Sequence, residues 1–197
     1  MHLKSSKIHE QQGYEGHYHK DMKHGLGTLK DPNTGEVYQG DFWLGKKSGI
    51  GKQSIAKSKR QCETYDYKGG FENGFAHGEG MLIIPRNSKY HGGFENNQRN
   101  GQGTIEFESG LKYNGDFKND EIHGYGQLDN PDGSLYIGQI QNGLRNGHGK
   151  YTFPNKTDYY LGQFENDMYN GEGTLQIKSQ KTSYKGHWKN NKLHGKG

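Results

Sequence analysis

A single cysteine, Cys62, in 197 residues excludes an internal disulfide and any metal site built from several thiolates. Apolar residues are scarce at 27% and mean hydropathy is −1.22, values that elsewhere mark chains with too little apolar surface to offset the entropy of ordering. There is no run of roughly 18 apolar residues to cross a bilayer as a helix, and residues 1–12 are too polar for a secretory leader, so a soluble intracellular chain is expected. Neither sign of charge dominates: 26 basic residues stand against 22 acidic ones, a balance too mixed for a nucleic-acid protein. No serine sits in a nucleophile elbow, and the Gly-x-Gly triplets precede no helix that would present a phosphate-binding terminus. Accordingly no catalytic residue, cofactor, metal or nucleic-acid partner is expected.

Glycine is what the chain has in abundance, 33 residues of it, and the glycines are periodic. Eight segments begin at Tyr14, Tyr38, Tyr67, Tyr90, Tyr113, Tyr136, Tyr160 and Tyr184, spaced 23 or 24 residues apart except for one step of 29 from Tyr38 to Tyr67. A glycine always follows two residues later, and two further on stands Tyr18, Phe42, Phe71, Phe94, Phe117, Ile140, Phe164 or Trp188. Eleven residues after each tyrosine a Gly-x-Gly begins, from Gly25 in the first copy to Gly195 in the last. That spacing never varies, so length changes fall between copies, which marks a fixed supersecondary unit with tolerant loops.

Tyr113, Gly115 and Phe117 have period two, which in a strand puts all three on one face. Gly124, Gly126 and Leu128 repeat the pattern after a polar turn, Lys118-Asn119-Asp120-Glu121, so each copy reads as a β-hairpin. Glycine weakens a strand, and its regular use on the aromatic face is expected to open a slot for a neighbouring ring. A sandwich needs two apolar sheet faces, and only one sparse face is on offer. The expected fold is therefore all-β: an elongated, single-layer antiparallel sheet of about eight stacked hairpins, on the order of 75 Å long at ~4.8 Å per strand. Residues 1–13 form a polar N-terminal tail and 14–197 the eight repeats.

These residues resemble the MORN repeat (membrane occupation and recognition nexus), whose pattern is YxGxF or YxGxW, a short polar gap, then NGxGxL or HGxGxL. Ser48 before Gly49, Gln53 in place of an aliphatic residue, and Ile140 in place of an aromatic one depart from it without breaking the frame. The resemblance implies a non-enzymatic scaffold that docks protein segments in a cytoskeletal assembly, the radial spoke of the ciliary axoneme in particular. It implies a cytoplasmic, cytoskeletal location and protein partners in a multi-subunit assembly, another MORN protein among the candidates. A peripheral membrane or phosphoinositide-binding module is the alternative.

Three groups of residues are candidate sites. Tyr67, Phe71, Tyr90, Phe94, Tyr113 and Phe117 would line a partner-binding groove if the apolar face stays partly exposed, although packing within the sheet competes for the same rings. Lys52, Lys57, Lys59 and Arg60 cluster in the longest connection, as a contact for an acidic protein or anionic membrane or, more plainly, as a solvated loop. His194, Gly195, Lys196 and Gly197 end the last copy as an open edge, a template for strand addition. His24, His77, His123 and His194 all precede a Gly-x-Gly, but asparagine or serine takes that place in the other copies, so a small polar residue is what the position needs and no metal is expected.

Overall fold

A computed structural model describes residues 8–11, 13–55 and 64–195. The chain divides into two units, residues 1–98 and 99–197. In the first lie β1 (Ile8–Gln11), β2 (Tyr14–His19), β3 (Met22–Lys30), β4 (Glu36–Trp43), β5 (Lys46–Ile55), β6 (Tyr65–Glu72), β7 (Phe75–Ile84) and β8 (Ser88–Glu95). The second holds β9 (Gln98–Phe107, which starts one residue early), β10 (Lys112–Lys118), β11 (Glu121–Asp129), β12 (Leu135–Gln141), β13 (Leu144–Thr152), β14 (Tyr159–Glu165), β15 (Met168–Ile177), β16 (Thr182–Lys189) and β17 (Lys192–His194). Within each unit successive strands pair antiparallel, as the hairpin pattern predicts. Four residues of the expected polar tail join this: β1 pairs with β2, because the outer edge of the first hairpin offers unpaired backbone groups.

All eight hairpins close with a two-residue loop whose central residues both have positive φ, from 47° at Leu44 to 95° at Gly74. This is the turn whose twist matches that of the strands. It explains the recurring Asn-Asn, Asn-Asp and Asn-Gly, residues that tolerate the left-handed region. The second loop residue also ties each hairpin to the one before. The Asp167 N–H donates to the Arg145 carbonyl at 3.0 Å, and the Arg145 N–H donates back to Asp167 Oδ1 at 3.0 Å. Asn97 exchanges the same pair of bonds with Ala76, and Asn191 with Tyr169.

The two glycines of Gly-x-Gly serve different purposes, which corrects the expectation of one uninterrupted second strand. In hairpin five Gly115 faces Gly126, and the next aligned pair is Phe117 with Ile122, so two steps along β10 match four along β11. The surplus is a bulge at Gly124. The first glycine of the triplet has φ between 60° (Gly49) and 81° (Gly101) in all eight copies, a conformation that any side chain strains. The second glycine faces a ring. A Cβ on Gly126 would stand 2.5 Å from Tyr113, and one on Gly115 would stand 2.6 Å from Gly126 Cα. The slot exists, then, but the ring filling it is the hairpin's own tyrosine, not a neighbour's.

Candidate functional site

The starting tyrosine is a tyrosine because of its hydroxyl as well as its ring. In every copy the OH donates to the carbonyl three residues on, at 2.7 Å for Tyr136 with Gln139 and 3.0 Å for Tyr113 with Asp116. Asp116 is the residue that the bulge leaves out of the β10–β11 ladder, so a hydroxyl lying over the glycine pair meets a carbonyl at the irregular point. Around it the rings meet edge to face: Tyr38 packs on Phe42 of its own hairpin at 5.1 Å and on Phe71 of the next at 4.9 Å. Burial pushes the hydroxyls of Tyr67, Tyr113 and Tyr160 up to about 12, and those of Tyr38 and Tyr136 higher still.

A single layer buries rings only if something covers them, and in five hairpins the residue nine positions after the tyrosine does so. Lys23 lies 5.4 Å from the centre of the Tyr14 ring and Lys47 5.2 Å from that of Tyr38. In the second unit Arg99 covers Phe117 at 5.6 Å, and Arg145 covers Phe164 at 5.4 Å. Tyr169 stacks on Tyr160 with ring centres 3.9 Å apart. Arg145 is held by Asp167, its Nε donating to Oδ1 at 2.9 Å, and Arg99 is held in the same way by Asp120.

This cover decides the fate of the expected aromatic groove. Tyr67, Phe71, Tyr90, Phe94, Tyr113 and Phe117 are between 0% and 5% exposed. They are the hydrophobic core of the hairpins, closed in by glycines and adjacent rings, with Lys47 over Phe71 and Arg99 over Phe117, and of these rings Tyr67 and Phe94 border a cavity. The surface lies on the opposite face. In the first unit that face carries a groove of about 740 Å³ whose floor is the backbone of Gly16, Gly27, Gly40 and Gly51. Leu26 and Ile50, 66% and 65% exposed, stand beside it with Lys52 and Lys68, which are cross-strand neighbours. Leu26 and Ile50 occupy the middle of Gly-x-Gly, where the other copies carry Glu79, Gln102, Tyr125, His148, Glu172 and Lys196, and an aliphatic residue at that position was the signal available in the sequence.

Of the basic cluster, Lys52 is on this face and exposed, whereas Lys57, Lys59 and Arg60 lie outside the described residues. At the open edge His194 ends β17, an exposed strand paired with β16, and Gly195 follows at φ 71°. Lys196 and Gly197 are outside the described residues. His24, His77, His123 and His194 are not brought together, and among the described residues no group of three His, Cys, Asp or Glu is placed to hold a metal ion.

A family model described as MORN repeat matches residues 14–36, 38–58, 67–89, 90–112, 113–135, 136–157, 160–181 and 184–197. These eight matches begin at the eight tyrosines that start the hairpins. MORN repeats suggest a protein-interaction or membrane-binding module, and no catalytic family is indicated. No curated protein matches the chain.

Proposed function

The chain belongs to the MORN repeat family, and from that premise we propose that it is a non-enzymatic scaffold that docks a partner protein segment on the open face of its first unit. In its narrowest form the proposal places it in a cytoskeletal assembly, the ciliary axoneme and its radial spoke. The observation that carries it is the contrast of faces: the aromatic face is spent on internal packing, while Leu26 and Ile50 project into solvent beside a glycine-floored groove. Exposed apolar side chains next to a backbone floor favour an extended or helical segment that can lie close to the sheet. The adjacent lysines Lys52 and Lys68 favour acidic residues at its end.

Tagged protein expressed in a ciliated cell tests this. The scaffold stays with the axoneme after detergent and leaves only with salt, and Leu26→Asp with Ile50→Asp weakens its retention. The Lys52–Lys68 pair also favours a second reading, an anionic lipid surface. Release of the chain with the detergent-soluble membranes, together with binding to phosphoinositide vesicles that is lost in Lys52→Gln with Lys68→Gln, would put that reading first.

A further inference from the structure

Hairpin three lacks the cover that the equivalent residue provides in its neighbours. Nine positions after Tyr67 stands Ala76, where hairpins one and two of the same unit place Lys23 and Lys47 over their tyrosines. Over Tyr67 and Phe94 the structure accordingly has a cavity of about 410 Å³. Tyr67 is 5% exposed, whereas Tyr14, Tyr38 and Tyr90 in the same unit are at 0% or 1%. Leu82 and Ile84 line the cavity with the two rings, and among the described residues Glu36 is the only formally charged side chain lining it.

We propose that this cavity is a receptor site for a lysine or arginine side chain supplied by a partner protein, which provides in trans the cation that hairpins one, two, four and six take from Lys23, Lys47, Arg99 and Arg145. The chemistry that fits is already visible in hairpin two. There Lys47 lies on the faces of Tyr38 and Phe71, at 5.2 and 6.0 Å from the ring centres, and reaches the carboxylate of Glu36. A cation over Tyr67 and Phe94 would meet the same ring faces one hairpin on and share the Glu36 carboxylate with Lys47, while the side-chain oxygens of Gln53 and Asn97 already accept from Lys47 and from the Ala76 N–H. Lys23 and Lys47 occupy consecutive hairpins, so the spacing tolerates adjacent cations. The site rests on the scaffold reading for its biological setting, but its chemistry is measured on the isolated chain, so failure of one does not imply failure of the other.

The test is a titration followed by NMR of the Ala76, Leu82 and Ile84 methyl groups, with N-acetyl-arginine amide and N-acetyl-tyrosine amide as probes. The arginine probe shifts all three signals at millimolar concentration, Glu36→Gln weakens it several-fold, and Ala76→Arg abolishes it. Ala76→Arg also raises the thermal midpoint by about 2 °C or more, since the filled site gains a cation–π contact in a chain of this size. Neutralising Lys57, Lys59 and Arg60 leaves the arginine affinity unchanged. A stronger response to the tyrosine probe, no response to either, a lowered midpoint in Ala76→Arg, or tighter binding after neutralisation would each overturn the assignment to a partner's cation.

Discussion

Tyr38 and Ile50 belong to one hairpin and lie on its two faces, one fully buried and the other 65% exposed. Both are large and partly apolar, so side-chain character does not explain the difference. The glycine pair does. Gly40 and Gly51 let the Tyr38 ring lie on the backbone, its hydroxyl donates to Asp41 at 2.9 Å, and Lys47 closes over it. No equivalent device covers the other face, so an apolar residue placed there stays in water. The aromatic face therefore carries stability, interrupted at the cavity over Tyr67 and Phe94, and the other is free to carry recognition.

The largest test of that division is alkali. An unfolded tyrosine ionises near pH 10, whereas Tyr67, Tyr113 and Tyr160 are pushed up to about 12 in the sheet. Between those values the folded chain holds protons that the unfolded chain has released, so stability is complete below pH 10 and falls as pH rises. Each such group makes stability fall further as the pH climbs from about 10 toward 12, so the sheet is expected to unfold in strong alkali. Circular dichroism against pH checks this, and an intact sheet at pH 12 would mean that the hydroxyls are not sealed. Next in size is Gly115→Val, which puts a Cβ 2.6 Å from Gly126 Cα and against Tyr113, and is expected to cost about 3 kcal/mol or more in spite of valine's strand preference. Thermal or denaturant unfolding reads it directly.

Much of this was legible in the sequence. The eight starts, the hairpins and the strand alternation follow from Tyr-x-Gly-x-Phe and an invariant step to Gly-x-Gly, since period-two patterning and a fixed spacing leave little freedom. Two things were not legible. The bulge at Gly124 was missed because a glycine at positive φ and a glycine under a ring look alike in sequence, and alternation assigns both to one face. The aromatic groove was misplaced because part of its cover comes from Lys47 over Phe71 and Arg99 over Phe117, charged residues that a hydropathy pattern counts as solvent-facing. Long side chains over ring faces supply the second layer that the apolar composition could not.

Smaller effects separate the parts of the device. Gly78 has φ 73° and nothing within 4 Å of where its Cβ would be, so Gly78→Ala isolates the backbone strain of the bulge at about 1–2 kcal/mol. Removing only the hydroxyl in Tyr113→Phe leaves the Asp116 carbonyl with one partner fewer and costs about 1 kcal/mol. On the open face Leu26→Asp changes stability by no more than about 0.5 kcal/mol. A loss as large as that of Gly115→Val would show that Leu26 packs as core and would remove it from the docking surface.

The contrast of faces is tested most directly by hydroxyl-radical footprinting of the isolated chain, read residue by residue by mass spectrometry. The account predicts oxidation at Leu26, Ile50, Tyr125 and Leu161 and protection of Tyr38, Tyr113 and Tyr136, even though tyrosine is intrinsically the more reactive residue. Labelled repeat tyrosines beside protected Leu26 and Ile50 would contradict it.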